Sequence, residues 1–400
     1  MGVTVQDGIS LSDSSKGYVR SDELEARFID ASELLRLSDG WPDPEQDGER
    51  VLRADLALEG GGVKGVGLVG AVQVLSEAGY SIRRVAGTSA GAIAASVVAG
   101  IVQSGADMNQ LHRYVRSLDF TKFMPDGKLH EMLDHAGGRI AELVADAAIL
   151  TNRAGLYSGE YLESWLAPIL HEELGVRTFA DLKLPPDFDP GLDASDVQRY
   201  RLVVNASDIT RGRLTRLPWD YPIYGHDPDD QDPVDAVRAS MSIPFFFEPV
   251  HIDARDATVE VRLPGGDVGT VRFGGGKHTW VDGAMLAKYP LHIFDRTDGR
   301  PSRWPTIGIK LSRYQTDFAV THHHESALAI AVRCLRTMMN GWDSSLEHET
   351  RSDRTIYVDS GKLSAMDFDI TSDQQDELFL SGVWAATNYV ISAAEARSVR

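Results

Sequence analysis

Residues 56–67 read LALEGGGVKGVG: an apolar run, a glutamate, three glycines and a lysine. The run predicts a buried strand, and a glycine cluster at its end means that backbone must come close to something. Gly60, Gly62 and Gly65 satisfy G-x-G-x-x-G ahead of GVGLVGAVQVLSEAG, a predicted helix with Leu68, Ala71, Val72 and Leu75 on one face and Gly79 at its end. That is the context of a dinucleotide-binding turn, but such a turn needs an Asp or Glu about 20 residues on, at the end of the second strand. Here the second strand, SIRRVAG, ends in Gly87-Thr88-Ser89-Ala90-Gly91. A P-loop also fails, because Lys64 is not followed by Ser or Thr.

GTSAG is a G-x-S-x-G pattern between a short apolar strand and a helix of small residues, AGAIAASVVAGI. This strand–turn–helix is the setting of a nucleophile elbow, which holds Ser89 in a sharp, strained turn with its hydroxyl presented. Gly87 and Gly91 remove Cβ atoms that would collide across the bend, and the helix from Ala90 aims its positive end at the same point. A serine attacking an acyl carbonyl needs N–H donors around the oxyanion. The glycine loop at the neighbouring strand end is assigned that role over Gly60–Gly65, with the N–H groups of Gly61, Gly62 and Val63 as donors. Lys64 is read either as a positive charge near the oxyanion or a lipid phosphate, or as a surface lysine.

From Val51 onward, strand-like and helix-like segments alternate, which predicts a mainly parallel sheet flanked by helices. Helices are expected around 105–118, 128–148 and 158–174, then in VDAVRASMSI, HESALAIAVRCLRTMMNGW and DQQDELFLSGVWAATNYVISAAEA; RYRLVVNASDI, PTIGIKLS and RTIYVDS read as strands. Two stretches interrupt the alternation. Residues 181–197, rich in Pro and Asp, read as an exposed loop, and residues 250–279 alternate around PGGD as a β-hairpin insertion. Residues 1–50 read as an acidic polar leader, partly flexible, with one short helix striped by Leu24, Phe28, Ile29 and Leu35; residues 51–400 form the catalytic domain.

Composition bounds the partners. A net charge of −19 opposes non-specific binding to nucleic acid and a polybasic membrane anchor. The leader alone carries twelve Asp/Glu against five Lys/Arg. The single Cys334 excludes a disulfide framework, and neither a signal peptide nor a run of about 18 apolar residues is visible, so a cytoplasmic protein is expected. His322, His323 and His324 are consecutive and point around a helix, so no metal is expected there. Phe245, Phe246 and Phe247 are read as an acyl-chain wall, a membrane-touching rim or buried core.

Ser89 needs a proton acceptor, commonly a histidine. His251, His278 and His292 lie downstream, none in an evident motif, whereas WVDGAMLAKYP places Asp282-Gly283-Ala284 at a predicted strand end. GGGVKG, GTSAG and DGA in this order resemble the patatin-like phospholipase family, and AGLYSGEYLESWL, RYRLVVNASDITRGRL and ASMSIPFFFEPV resemble further family segments in family order. The likeness runs from about residue 53 to about 395. It implies a three-layer α/β/α fold, Ser89 as nucleophile and Asp282 as general base. It also implies an oxyanion loop at Gly60, Gly61, Gly62, Val63, Lys64 and Gly65, and an elbow of Gly87, Thr88, Ala90 and Gly91. Gly283 and Ala284 complete the dyad motif, and neither cofactor nor metal is called for. Family members often have DGG where this chain has DGA, and many have asparagine where it has Lys288.

The substrate class implied is a phospholipid or lysophospholipid ester met in transient contact with a membrane surface, with neutral or zwitterionic lipid favoured by the charge. Two other readings stay open: an acyltransferase or thioesterase using the same dyad, and a non-enzymatic nucleotide-binding regulatory domain using GGGVKG as a phosphate cradle.

Overall fold

The computed structural model describes residues 8–12, 17–42, 49–123, 155–185, 198–262, 268–296, 302–311, 353–361 and 363–398, together with Cys334, Thr337 and Met338. Its frame is a nine-stranded sheet. The longer strands are β1 (Arg50–Leu58), β2 (Tyr80–Thr88), β3 (Leu202–Asp208), β4 (Arg213–Leu217), β5 (Val250–Ala254), β6 (Gly276–Asp282), β7 (Thr306–Lys310) and β8 (Thr355–Tyr357). They run in the order β5–β6–β3–β2–β1–β7–β8; β4 pairs with β3, and the short strand Trp41–Pro42 with β1. The five strands β3, β2, β1, β7 and β8 pair in parallel, and the antiparallel pairings are those of β3 with β6, β5 with β6, β3 with β4 and Trp41–Pro42 with β1. Leu56, Leu58, Val85, Val203, Val204, Ile307 and Ile309 are wholly buried, as a sheet covered on both faces requires.

Seven helices are used below: α1 (Asp22–Asp39), α2 (Val66–Glu77), α3 (Ala90–Ser104), α4 (Gln110–Arg116), α5 (Glu160–Ala167), α6 (Pro233–Ser240) and α7 (Ser372–Ser398). With the sheet they give the three-layer α/β/α architecture. Helix α2 is buried almost throughout and lies along α7, α1 lies along α7, and α3 packs on β2 and β3. The approach of α2 to α7 is close because both carry glycine there. A Cβ on Gly382 would strike the carbonyl of Gly67, and one on Gly70 the carbonyl of Phe379. No described helix is long and apolar enough to cross a membrane.

Three expectations change. The helix expected over 105–118 is the shorter α4, because Gly105 adopts φ +70° and ends α3 with a left-handed cap. The helix expected over 158–174 is α5 followed by a π-helical turn, Pro168–Glu173, closed by the Leu174 N–H on the Ile169 carbonyl at 3.0 Å. Pro168, without an N–H, breaks the regular ladder at that point. In α1, Phe28, Ala31 and Leu35 face the core while Ile29 is 57% exposed. The described part of the leader shares the domain's core through Ile9 and Tyr18, and buried Arg20 pairs with Glu77 at 3.1 Å and Glu25 at 2.9 Å. Residues 128–148, most of 181–197, the segment holding His322–His324 and most of the predicted helix after it lie outside the described residues.

The insertion is a ribbon of Ala257–Arg262 against Val268–Phe273, carried on the β5–β6 pair. The register Asp208↔Trp280 leaves Gly276 four residues beyond the end of β3, so β6 runs about 13 Å past that strand on the side that carries the ribbon. It leans on the Tyr221–Tyr224 turn, where the Tyr224 carbonyl accepts the Arg255 N–H at 2.9 Å.

The glycine contact between α2 and α7 yields a stability test. Gly382→Val is expected to destabilise the protein by about 1–3 kcal/mol through overpacking against backbone. Gly105→Asn, at a left-handed position with open space around it, is expected to be close to neutral. Thermal unfolding followed by circular dichroism compares the two.

Candidate active site

Strand β2 delivers the nucleophile candidate. It ends at Thr88, and Ser89 turns the chain into α3 with φ +53° and ψ −123°, one of two described non-glycine residues at positive φ. An L-residue there is strained by roughly 1–3 kcal/mol and persists only where its surroundings fix it. The fixing contacts are visible. The Ser89 N–H donates to Ser240 Oγ at 2.9 Å, and that hydroxyl donates to the Asn205 carbonyl at 2.6 Å. The Ser89 carbonyl accepts the N–H groups of Ala92 and Ile93, starting α3.

Strand β6 runs into the same place from the opposite direction. Its last residue is Asp282, whose N–H donates to the Ser242 carbonyl at 2.9 Å and whose side chain is fully buried. Ser89 Oγ donates to Asp282 Oδ2 at 2.7 Å, while Oδ1 accepts the Ala284 N–H at 2.8 Å. Burial pushes the Asp282 carboxyl up to about 7, against the opposing pull of the Ala284 N–H, the Ser89 hydroxyl and the Lys288 charge. Gly283 is needed for this turn because a Cβ would collide with the Asn205 backbone.

Strand β1 brings the glycine loop alongside. A Cβ on Gly60 would lie 3.2 Å from Ser89 Cβ and 3.0 Å from the Thr88 carbonyl, and one on Gly91 would lie 2.7 Å from the Glu59 carbonyl. The three strand ends meet at separations only glycine permits. Gly65 packs on Ala90, and Gly87 on the backbone of Gly91.

The loop's amides are not equivalent. Gly60 N–H donates to the Lys288 carbonyl at 3.0 Å, Val63 N–H to the Ala365 carbonyl at 3.2 Å, and Lys64 N–H to the Gly61 carbonyl at 3.3 Å. Val63, expected as a donor, is therefore not open: its amide is held by the Ala365 carbonyl, a contact with no signature in the local sequence. Gly61 and Gly62 are left with N–H groups that bond no described residue. Gly62 takes φ +56° with the Ala365 carbonyl against it, a position with no room for a side chain. With three amides engaged by protein carbonyls, the loop lacks the run of open N–H groups that a phosphate cradle needs.

The three candidate histidines lie elsewhere. His278 Nδ1 is 3.1 Å from Asp208 Oδ2 in a buried cluster with Tyr224, His251 meets Thr279, and His292 pairs with Asp295 at 2.7 Å. None bonds Ser89 among the described residues. Phe246 and Phe247 are core, ringed by Tyr157, Phe123 and Phe368, while Phe245 is half-buried at φ +71°. Lys64 is half-buried, and its ammonium is held below the usual lysine range by burial and by Lys288.

Sequence reasoning missed Ser240, Asn205 and Ser242 as supports. They sit inside ASMSIP and VVNASD, where small polar residues interrupt otherwise apolar segments, and that interruption is the available signal. It also missed a clamp. Thr88 Oγ1 donates to the Ala287 carbonyl at 2.9 Å, and Lys288 Nζ lies 3.2 Å from buried Glu59. The turn after Asp282 is thereby tied to both neighbouring strand ends.

The patatin-like phospholipase family model matches residues 56–295, which span the glycine loop, the serine turn and the aspartate turn. The chain is 31% identical over 326 residues to the uncharacterized protein YqhO of Bacillus subtilis (strain 168), covering 82% of this chain and 93% of that one. Among solved structures it is similar to VipD of Legionella pneumophila, at 17% identity and a TM-score of 0.41, covering 85% of this chain and 67% of that one. It is also similar to ExoU in the ExoU–SpcU complex of Pseudomonas aeruginosa, at 15% identity and a TM-score of 0.38, covering 86% of this chain and 53% of that one. From the family match over more than half its length, the chain belongs to the patatin-like phospholipase family.

Proposed function

We propose that the protein is a serine lipid acyl hydrolase that cleaves carboxylic ester bonds of phospholipids or lysophospholipids through an acyl-Ser89 intermediate. The observation that carries this reading is the 2.7 Å hydrogen bond from Ser89 Oγ to a buried carboxylate, with no imidazole between them. Family membership supports lipid as the substrate class.

The chemistry follows from the groups in place. Ionised Asp282 accepts the Ser89 proton as Oγ attacks the ester carbonyl. Charge developing on the carbonyl oxygen is met by the amides of Gly61 and Gly62 and by the positive end of α3. The tetrahedral intermediate collapses, and Asp282 returns the proton to the departing alcohol. Water then attacks the acyl-serine, with the same carboxylate as base. An acceptor alcohol in place of water would give transacylation, and a thioester donor would enter by the same route.

The protonation state of Asp282 sets the pH response. A base near 7 is well matched to neutral conditions, being partly ionised there and still a good proton acceptor. kcat/KM is therefore expected to rise about tenfold per unit below pH 7 and to level off above it. Stability moves the other way. The carboxyl releases its proton near pH 4 when unfolded and near 7 when folded, so its stabilising contribution is complete below about 4 and lost as the pH rises through 7. Relative to wild type, Asp282→Asn is expected to gain thermal stability progressively between pH 4 and 8; a gap between the two proteins that stays constant over that range would contradict the burial argument.

The direct test of the function is hydrolysis of a panel of defined phospholipids and lysophospholipids, read beside covalent labelling by a fluorophosphonate. Ser89→Ala is expected to lose both turnover and label. Asp282→Asn is expected to lose roughly 10²- to 10⁴-fold in kcat, while His251→Ala, His278→Ala and His292→Ala keep measurable turnover. A histidine variant as inactive as Asp282→Asn would overturn the dyad, and nucleotide binding that survives Ser89→Ala would favour the phosphate-cradle reading.

A further inference from the structure

The dyad turn carries a lysine that the mechanism above does not use. Lys288 is bound to the glycine loop twice. Its carbonyl accepts the Gly60 N–H at 3.0 Å, and its Nζ stands 3.2 Å from Glu59 Oε1. Glu59 has no exposure to water, and its other carboxylate oxygen accepts the Leu311 N–H from the end of β7. The residue before Lys288 extends the attachment, since the Ala287 carbonyl accepts both Thr88 Oγ1 at 2.9 Å and Asn205 Nδ2 at 3.4 Å. One six-residue turn, from Gly283 to Lys288, thus grips the residue before the nucleophile and the first glycine of the loop.

We propose that Lys288 is the positioning residue of this site: paired with Glu59 it locks the aspartate turn onto the glycine loop and so holds Asp282 at hydrogen-bond distance from Ser89 Oγ. The proposal rests on the hydrolase reading, within which it assigns a role to a residue that touches neither substrate nor the reacting atoms.

The surrounding charges fit this role. Asp282 is faced by the Ser89 hydroxyl and the Ala284 N–H, and Lys288 is the charged group that acts on it. Lys288 is in turn faced by Glu59 and by Lys64, and Lys64 also by Asp367. A carboxyl buried at a strand end has few ways to stay ionised at neutral pH. A fixed cation near it supplies one, provided the cation is itself anchored. The Glu59 carboxylate is that anchor: because it is buried, its pairing geometry is held, unlike that of an exposed lysine pair.

The experiment is the pH dependence of kcat and KM on a soluble p-nitrophenyl ester for wild type, Lys288→Met and Lys288→Arg, with fluorophosphonate labelling of Ser89 at pH 9 as the control for an intact nucleophile. Lys288→Met is expected to lower kcat about tenfold, at pH 9 as at pH 7, and to change KM little, while labelling at pH 9 persists. Lys288→Arg, which keeps the ion pair with Glu59, is expected to restore kcat. A folded Lys288→Met protein with wild-type kcat would overturn the proposal. If that variant does not fold once buried Glu59 loses its lysine, the double variant Glu59→Gln/Lys288→Met removes the ion pair without leaving a charge behind and must show the same loss of kcat; wild-type kcat there overturns the proposal equally. A wild-type protein that neither turns over esters nor labels at Ser89 would instead sink the hydrolase reading itself.

Discussion

A carboxyl group sealed from water resists carrying charge, yet the base proposed for this site must carry it. That conflict at Asp282 shapes its surroundings. Moving an isolated carboxylate from water into a protein interior costs several kcal/mol even after relaxation. Here the opposing interactions are few and specific: one backbone N–H from Ala284, one hydroxyl from Ser89, and one anchored ammonium nearby. They do not cancel the effect of burial, so the group stays a stronger base than an exposed aspartate. A carboxylate satisfied by several backbone amides would be held ionised to low pH and would accept a proton poorly.

The second constraint is separation. Three chain segments must bring their ends within side-chain contact: β1 with its glycines, β2 with the serine, and β6 with the aspartate. Glycine at 91 and 283 allows backbone to pass where even a methyl group would collide, and at 60 a methyl group would be crowded. The strained dihedrals of Ser89 are one consequence, held by Ser240 on the amide side and by the first turn of α3 on the carbonyl side. The antiparallel entry of β6 is another. A parallel strand would present its residue at the same edge only after a crossover, whereas β6 arrives from the projecting ribbon and ends its run beside Ala206, close to the nucleophile.

Much of this was legible in the chain, because close backbone approach leaves a mark in composition. Glycines at 60–62, at 87 and 91 and at 283 are the places where the sequence cannot afford a Cβ, and they picked out the strand ends that meet. The apolar runs at 54–58 and 202–206 likewise announced strands covered on both sides. What escaped was carried by atoms that every residue has. The carbonyls of Ala365, Ala287 and Lys288 choose which amides of the loop stay open, and a carbonyl has no sequence signature. The same holds for Ser240, whose hydroxyl matters only because tertiary packing brings α6 under the turn. The polar pattern of residues 1–50 suggested a polar, partly flexible leader. The burial of Ile9, Tyr18 and Arg20 shows how a short apolar minority and one buried cation suffice to dock such a segment.

Direct contact between the proposed nucleophile and its proposed base also changes what the rest of the site can do. Where an imidazole stands between serine and carboxylate, a third group can set the base's orientation and affinity for protons separately. With 2.7 Å between Ser89 Oγ and Asp282 Oδ2 there is no intermediary to adjust. Orientation falls to the turn that follows Asp282, and proton affinity to burial and to nearby fixed charge. Both are properties of the same six residues, so geometry and basicity cannot be varied independently. A change that loosens the turn would admit water to the carboxylate, lower its proton affinity and misplace it together. The attachment of that turn to Gly60 and Thr88 is therefore as much a part of the proposed acid–base apparatus as the carboxylate itself.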